Sequence, residues 1–364
     1  MPSAGNDNNG RPVFSLQELT KEPLLQIPDC YVCEDEESTN PSQEANNISS
    51  PSLPTIDMKL LMSGEASELE KLHATCSEWG FFQLLNHGVS SSLIEKVKSE
   101  VEEFFNLPLE KKMEYKRGPK DVEGYGLALP PSSQDQKFDW GDRFYMVINP
   151  VHERKPHLFT QFPPSLRNAL ESYISELQKV GMELMGLLAR ALKMDLREME
   201  EWFEDGMQSM RMTYYPPCPQ PEKVMGLRSH TDGSAITILL QVNTVQGLQI
   251  KKDGVWIPVS FDPDAFVVNI GDILEIFSNG VYRSIDHRVT INPTEERISI
   301  AMFFNPKLEA EVGPARSLIN PKNPPLFKTV GMQQYLNSFF SRQLSRKTNL
   351  EHMRIINGED ACLG

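Results

Sequence analysis

Past Gly206 the apolar residues of this chain stop recurring at helical spacing and begin to alternate, which limits what the second half can fold into. Segments 210–215, 236–242, 247–251, 255–259, 265–270, 274–278, 281–291 and 297–304 each read as a short strand. Many short strands at close intervals predict a sandwich or barrel of jelly-roll type, because each strand buries a face that only a second sheet can cover. Asp253-Gly254, between two apolar stretches, predicts a hairpin, since both turn positions favour positive φ.

The first half has a different period. Leu69, Leu72, Cys76 and Trp79 recur at helical spacing, as do Leu93, Ile94, Val97, Val101, Phe104 and Phe105. Between them the run from Phe81 to Gly88 reads as a strand ended by glycine. Downstream of Pro164, apolar positions from Leu166 to Leu192 mark one long helix, eased at Gly181, that would serve as a scaffold spine. Segment 34–52 is rich in Asp, Glu, Asn, Ser and Pro, cannot offset its ordering entropy, and is expected to be a mobile linker. At 364 residues the chain has room for one mostly β core with a helical part packed on it.

Composition narrows the partners. No apolar run approaches the roughly 18 residues of a membrane helix, and the polar start, Met1 to Pro12, has no secretory pattern, so a cytoplasmic protein is expected. Five scattered cysteines fit thiols in a reducing compartment, and the Cys30-x-x-Cys33 spacing lacks the second pair or βαβ context that would make it a metal or redox site. A formal charge of −14 disfavours nucleic acid and anionic membranes, leaving a small molecule as the expected partner.

Two constellations carry chemistry. His230-Thr231-Asp232 is a weak motif alone, but His287 completes a set of two imidazoles and a carboxylate. Such a set takes one face of an octahedral ion and leaves the other open, the arrangement of non-haem Fe(II) oxygenases, with room for a bidentate 2-oxo acid and dioxygen. His230 and Asp232 share a face if their segment is extended. Arg297 and Ser299, also two apart, would point into the barrel while Ile298 and Ile300 face the other layer. A buried arginine needs an anion, and the far carboxylate of a dicarboxylic acid suits its planar fork; the alternative is an internal salt bridge to Asp272 or Glu275. The other histidines, His73, His87, His152, His157 and His352, have no carboxylate two residues on and read as surface or packing residues, with His87 in a structural turn. The prolines of 214–221 fix a rigid exit that can hold the tyrosines at the site.

Taken together, Trp79-Gly-Phe-Phe-Gln-Leu-Leu-Asn-His-Gly88, Met212-Thr-Tyr-Tyr-Pro-Pro-Cys-Pro219, Gly226-Leu-Arg-Ser-His-Thr-Asp232, Gly247-Leu-Gln-Ile250, Asn269-Ile-Gly-Asp272, Ser278-Asn-Gly-Val-Tyr-Arg-Ser284 and Arg297-Ile-Ser299 resemble the plant Fe(II)- and 2-oxoglutarate-dependent dioxygenase superfamily from Pro54 to about Pro306. Val122-Glu-Gly-Tyr-Gly126 and Asp135-Gln-Lys-Phe-Asp-Trp140 most resemble its senescence-related group, which includes alkaloid O-demethylases.

The resemblance implies a distorted double-stranded β-helix, or jelly roll, packed by an N-terminal helical domain. It implies that His230, Asp232 and His287 ligate Fe(II), and that Arg297 and Ser299, helped by Tyr215, hold 2-oxoglutarate. Thr213 stands where the family commonly has Asn, so a supporting contact to the cosubstrate changes there. Tyr125, Arg143 and Phe303 are the pocket-lining residues it suggests. It implies hydroxylation or O-demethylation of a hydrophobic plant specialised metabolite, with dioxygen as second cosubstrate, ascorbate as reductant, and a monomer. The implied division is an extension with a linker at 1–53, a helical dioxygenase domain at 54–165, scaffold helices at 166–205, the catalytic jelly roll at 206–306 and a helical segment at 307–364. Two rivals stand beside it. One is an ascorbate-dependent iron oxidase of the same superfamily, which turnover without 2-oxoglutarate would reveal. The other is a non-catalytic jelly roll holding a structural metal, against which stands the absence of cysteine from the triad.

Overall fold

The computed structural model describes residues 15–22, 24, 26–33, 52–118, 121–126, 137–343 and 349–355. The expected linker, apart from Ser52, lies outside the described residues, as do Met1 to Pro12. Strands β1 (Thr55–Asp57), β2 (Phe81–Leu85), β3 (Gly124–Gly126), β4 (Asp142–Asn149), β5 (Gln208–Tyr215), β6 (Leu227–His230), β7 (Ile236–Gln241), β8 (Leu248–Lys252), β9 (Val255–Pro258), β10 (Phe266–Ile270), β11 (His287–Val289) and β12 (Arg297–Phe304) form two sheets. The larger runs β1-β2-β10-β7-β12-β5-β4-β3, antiparallel except where β1 lies along β2; the smaller runs β6-β11-β8-β9. Among the described residues no strand pairing joins the sheets, so the jelly roll is open at its seams.

Alternation gives the large sheet two different faces. Phe144 and Met146 of β4, Met210 and Met212 of β5, Ile236 and Ile238 of β7, Phe266 and Val268 of β10, and Ile298, Ile300, Met302 and Phe304 of β12 pack outward into one core with the helices. That core is centred on the helix Pro164–Leu192, which places proline in its first turn and ends on Lys193 at φ 56°. The helix runs unbroken through Gly181, whose role is close approach: a Cβ there would lie 2.2 Å from the ring of Phe304. The opposite face turns toward the small sheet, where Phe81, Tyr215 and Val267 meet Leu227, Leu248, Ile250 and Val289 in a second core. The N-terminal residues Leu16, Leu19, Ile27 and Tyr31 join it. They are tied down by buried Asp142, which accepts from Ser15 Oγ at 2.5 Å, Leu16 N at 2.7 Å and Tyr125 Oη at 2.9 Å.

The expected hairpin joins β8 to β9, with Asp253 and Gly254 at φ 51° and 82°. Two expectations are corrected. Residues 274–277 belong to the helix Asp272–Phe277, not to a strand; all six residues of that helix are buried, and a short run buried on every side carries no period that separates the two. Of 281–291 only His287–Val289 is paired. Strand β4 was not expected at all.

Candidate active site

Strands β6 and β11 pair with His287 directly opposite His230, so the register of one short ladder brings two imidazoles together from positions 57 residues apart in sequence, with ring centroids 4.2 Å apart. Asp232 follows just past the end of β6, with Oδ1 3.6 Å from His230 Nε2 and 3.7 Å from His287 Nε2. One donor atom from each lies within 4.8 Å of the others, a group that could hold a metal ion.

The surrounding bonds aim these atoms. His230 Nδ1 lies 2.8 Å from the carbonyl of Arg228, and His287 Nδ1 3.1 Å from that of Ile285. A carbonyl only accepts, so each Nδ1 carries the proton and each Nε2 lone pair points at the shared centre. Asp232 Oδ2 accepts from Thr237 Oγ1 at 2.6 Å and Asn269 Nδ2 at 2.9 Å, leaving Oδ1 to the imidazoles. Burial, then the neighbouring His287, pushes the His230 pKa down. Burial opposes ionisation of Asp232, but His287, His230 and the two donors outweigh it and hold the carboxyl low. A neutral His230 imidazole and an ionised carboxylate are protonation states that bind a cation. Nε2 of His230 is buried with no hydrogen-bond partner, a costly condition that a metal ion would relieve.

On the facing sheet, Arg297 lies opposite Tyr215, and Ser299 sits between Thr213 and Gln241. All but Gln241 are buried, on the inward face as expected. The alternative salt bridge is not formed. Glu275 takes Arg354 at 3.1 Å and the amide of Ser284 at 2.7 Å, while Arg297 Nη2 donates to Gln241 Oε1 at 2.7 Å. Nε and Nη1 of Arg297 are buried without partners, its guanidinium 5.2 Å from the Tyr215 ring centroid, so N–H donors are left for an anion.

Arg143, Tyr145, Arg211 and Phe303 also stand on the inward face, yet keep accessible surface while their outward neighbours Phe144, Met146, Met212 and Met302 are buried. Accessible inward positions mark a chamber open to solvent. Arg143 and Phe303 stand at this chamber, whereas Tyr125, which the resemblance also suggested as a lining residue, does not. It pairs with Phe144 on the outward face, 1% exposed among Phe104 and its neighbours, with its hydroxyl committed to Asp142. Its apolar body and polar tip suit a core position as well as a pocket, and sequence could not tell them apart. His87 packs with its ring centroid 4.1 Å from that of Phe266, and its Nδ1 accepts from the Val89 amide. Gln241, Asn269, Thr237 and Arg211 were missed, although each obeys the two-residue rule that located Arg297 and Ser299.

The chain matches the model of the 2OG-Fe(II) oxygenase superfamily over residues 206–306 and that of the non-haem dioxygenase in morphine synthesis N-terminal region over residues 53–165. It is 47% identical over 352 residues to codeine O-demethylase of Papaver somniferum, covering 95% of this chain and 97% of that one. It is 46% identical to oxoglutarate-dependent flavonoid 7-O-demethylase 1 of Ocimum basilicum, covering 95% and 92%. A crystal structure of JOX2 in complex with 2OG, Fe and JA superposes with a TM-score of 0.81 at 32% identity, covering 95% of this chain and 99% of that one.

Proposed function

Because the chain belongs to the 2-oxoglutarate- and Fe(II)-dependent oxygenase superfamily, and is thus a 2-oxoglutarate-dependent dioxygenase acting on a small molecule, we propose that it hydroxylates or O-demethylates a hydrophobic plant specialised metabolite. In this proposal His230, Asp232 and His287 hold Fe(II), and Arg297 and Ser299, with Thr213 and Tyr215, hold the far carboxylate of 2-oxoglutarate. The observation that carries it is the unpartnered His230 Nε2 facing Asp232 across from His287, with the unpartnered Arg297 donors on the facing sheet. The relatives named above as O-demethylases support the choice of reaction.

Iron with 2-oxoglutarate and dioxygen supplies oxidation of a C–H bond, with succinate and carbon dioxide as co-products. The chain's residues do the rest. The Arg228 and Ile285 carbonyls keep both imidazoles in the ligating tautomer, and Thr237 and Asn269 orient the carboxylate. Arg297 and Ser299 fix the cosubstrate against a wall that excludes water, and Arg143 and Phe303 line the chamber in which the organic substrate is oriented. Where the oxidised carbon is an O-methyl group, its hydroxylated product collapses to formaldehyde and a free hydroxyl. In the same reading a helical dioxygenase domain at 54–165 and scaffold helices at 166–205 precede the catalytic jelly roll at 206–306, with a helical segment at 307–364 after it.

The test incubates purified protein with Fe(II), 2-oxoglutarate, ascorbate and extracts rich in phenolics and alkaloids, reading mass changes of plus one oxygen or minus one methylene. Products that need 2-oxoglutarate and vanish in folded His230→Ala and Asp232→Ala variants are expected. Full turnover in either variant, or turnover indifferent to 2-oxoglutarate, would contradict the proposal.

A further inference from the structure

The regions matched by the family models begin at residue 53, so the segment 15–33 lies outside them, yet it is built into the molecule. Ser15 Oγ, Leu16 N and Gln17 N donate to Asp142 at 2.5, 2.7 and 3.2 Å, three of the four hydrogen bonds that reach this buried carboxylate with Tyr125 Oη. A buried carboxylate depends on its donors, which fixes where the segment docks. Farther along, the Cys30 carbonyl accepts from Phe138 N at 2.8 Å, and Cys33 N donates to the Lys223 carbonyl at 2.8 Å. Between them the buried Tyr31 ring meets that of Trp140 edge-on at 5.3 Å and that of Phe138 at 6.0 Å.

Phe138, Trp140 and Asp142 are thus gripped by the segment, and the two residues between them face the site. Asp139 Oδ1 accepts from Arg228 N at 3.2 Å and Nε at 3.0 Å, and the Arg228 carbonyl lies 2.8 Å from His230 Nδ1. Gly141 lies against Tyr215, where a Cβ would stand 3.1 Å from ring atom Cδ1, and the Tyr215 ring centroid is 5.2 Å from the Arg297 guanidinium. Trp140 is held from its other side as well, donating from N to the Met225 carbonyl at 2.7 Å and from Nε1 to the Pro216 carbonyl at 3.1 Å. Tyr31 therefore packs on a residue clamped between the end of β5 and the start of β6. Covering an apolar core would need only its ring; a backbone bond before Asp139 and a carboxylate anchor after Gly141 set the position of both.

We propose that the segment 15–33 is a positioning strap for the active site, with Tyr31 as its principal contact: docked, it sets Asp139 and Tyr215 and so raises the affinity for the metal ion and for 2-oxoglutarate, an inference that rests on His230 and Arg297 serving those two ligands as set out above. Coupling of this kind is reciprocal. What the strap adds to ligand affinity, the ligands must return as tighter docking of the strap.

The test uses the full chain. Hydrogen exchange at the amides of residues 15–33 is followed with and without Mn(II) and 2-oxoglutarate, and referred to the helix Leu196–Phe203, which packs in the other core. Loading is expected to slow exchange in the strap several-fold more than in that helix. Calorimetry then compares variants. Tyr31→Ala should weaken Mn(II) and 2-oxoglutarate binding several-fold. Tyr31→Phe, which keeps the ring and loses only a hydroxyl that has no partner, should match wild type. Met199→Ala, a loss of buried surface in the other core, should also leave both affinities unchanged. Equal slowing in strap and helix, no slowing in the strap, or equal losses of affinity in Tyr31→Ala and Met199→Ala overturns the proposal. The exchange comparison needs no variant and decides the matter even if Tyr31→Ala does not fold. A wild type that binds both ligands with an indifferent strap removes this inference alone, whereas a wild type that binds neither removes the reading of the site and the strap's role with it.

Discussion

At the scale of single residues, spacing by two picks out side chains that the structure brings together, Arg297 with Ser299 on one face of β12 and His230 with Asp232 around the end of β6. His230 with Asp232 and Arg297 with Ser299 were legible for that reason, and Thr213 and Tyr215 follow from the same alternation. Arg297→Gln is expected to raise the 2-oxoglutarate concentration needed for half-maximal turnover by about ten- to a hundred-fold, the worth of a charge-assisted pair. The requirement for the organic substrate should change far less. Equal effects on both would make Arg297 structural. What sequence could not show is support from afar. Asp139 accepts from the Arg228 amide at 3.2 Å and from Arg228 Nε, and the Arg228 carbonyl in turn holds His230. Asp139→Ala should therefore weaken Mn(II) binding several-fold, within the about ten- to hundred-fold known for outer contacts of metal ligands. Calorimetry of the folded variant checks this; unchanged affinity would show Asp139 to be a structural charge partner only.

At the scale of elements, the spine and the sheet depend on one close approach. Gly181 lets the helix Pro164–Leu192 settle on β12, and Gly181→Val should destabilise the protein by about 1–3 kcal/mol through overpacking against Phe304. A denaturant midpoint unchanged from wild type would show that the ring moves aside freely. Elements with a clear period were read correctly, among them this helix, β12 and the β8–β9 hairpin. The helix Asp272–Phe277 was not, since burial on every side removes the period. Strand β4 was passed over although it alternates buried and accessible residues, because Arg143, Tyr145 and Val147 line a chamber and do not form a plainly polar face.

At the scale of the whole molecule, the site is a seam. The imidazoles come from the small sheet and Arg297 with Ser299 from the large one, and the core between the sheets is completed by Leu16, Leu19 and Tyr31 from the start of the chain. No described helix is long and apolar enough to cross a membrane. A ligand that spans the seam must stabilise the fold, because it binds only when both sheets are in place. The most direct test is an anaerobic titration of 2-oxoglutarate into the Fe(II)-loaded protein, followed by visible charge-transfer absorption. The account predicts a saturable band in the wild type, none in His287→Ala, and a band that needs much more 2-oxoglutarate in Arg297→Gln. A wild type without the band, or a folded His287→Ala that matches it, would contradict a shared iron centre at His230, Asp232 and His287.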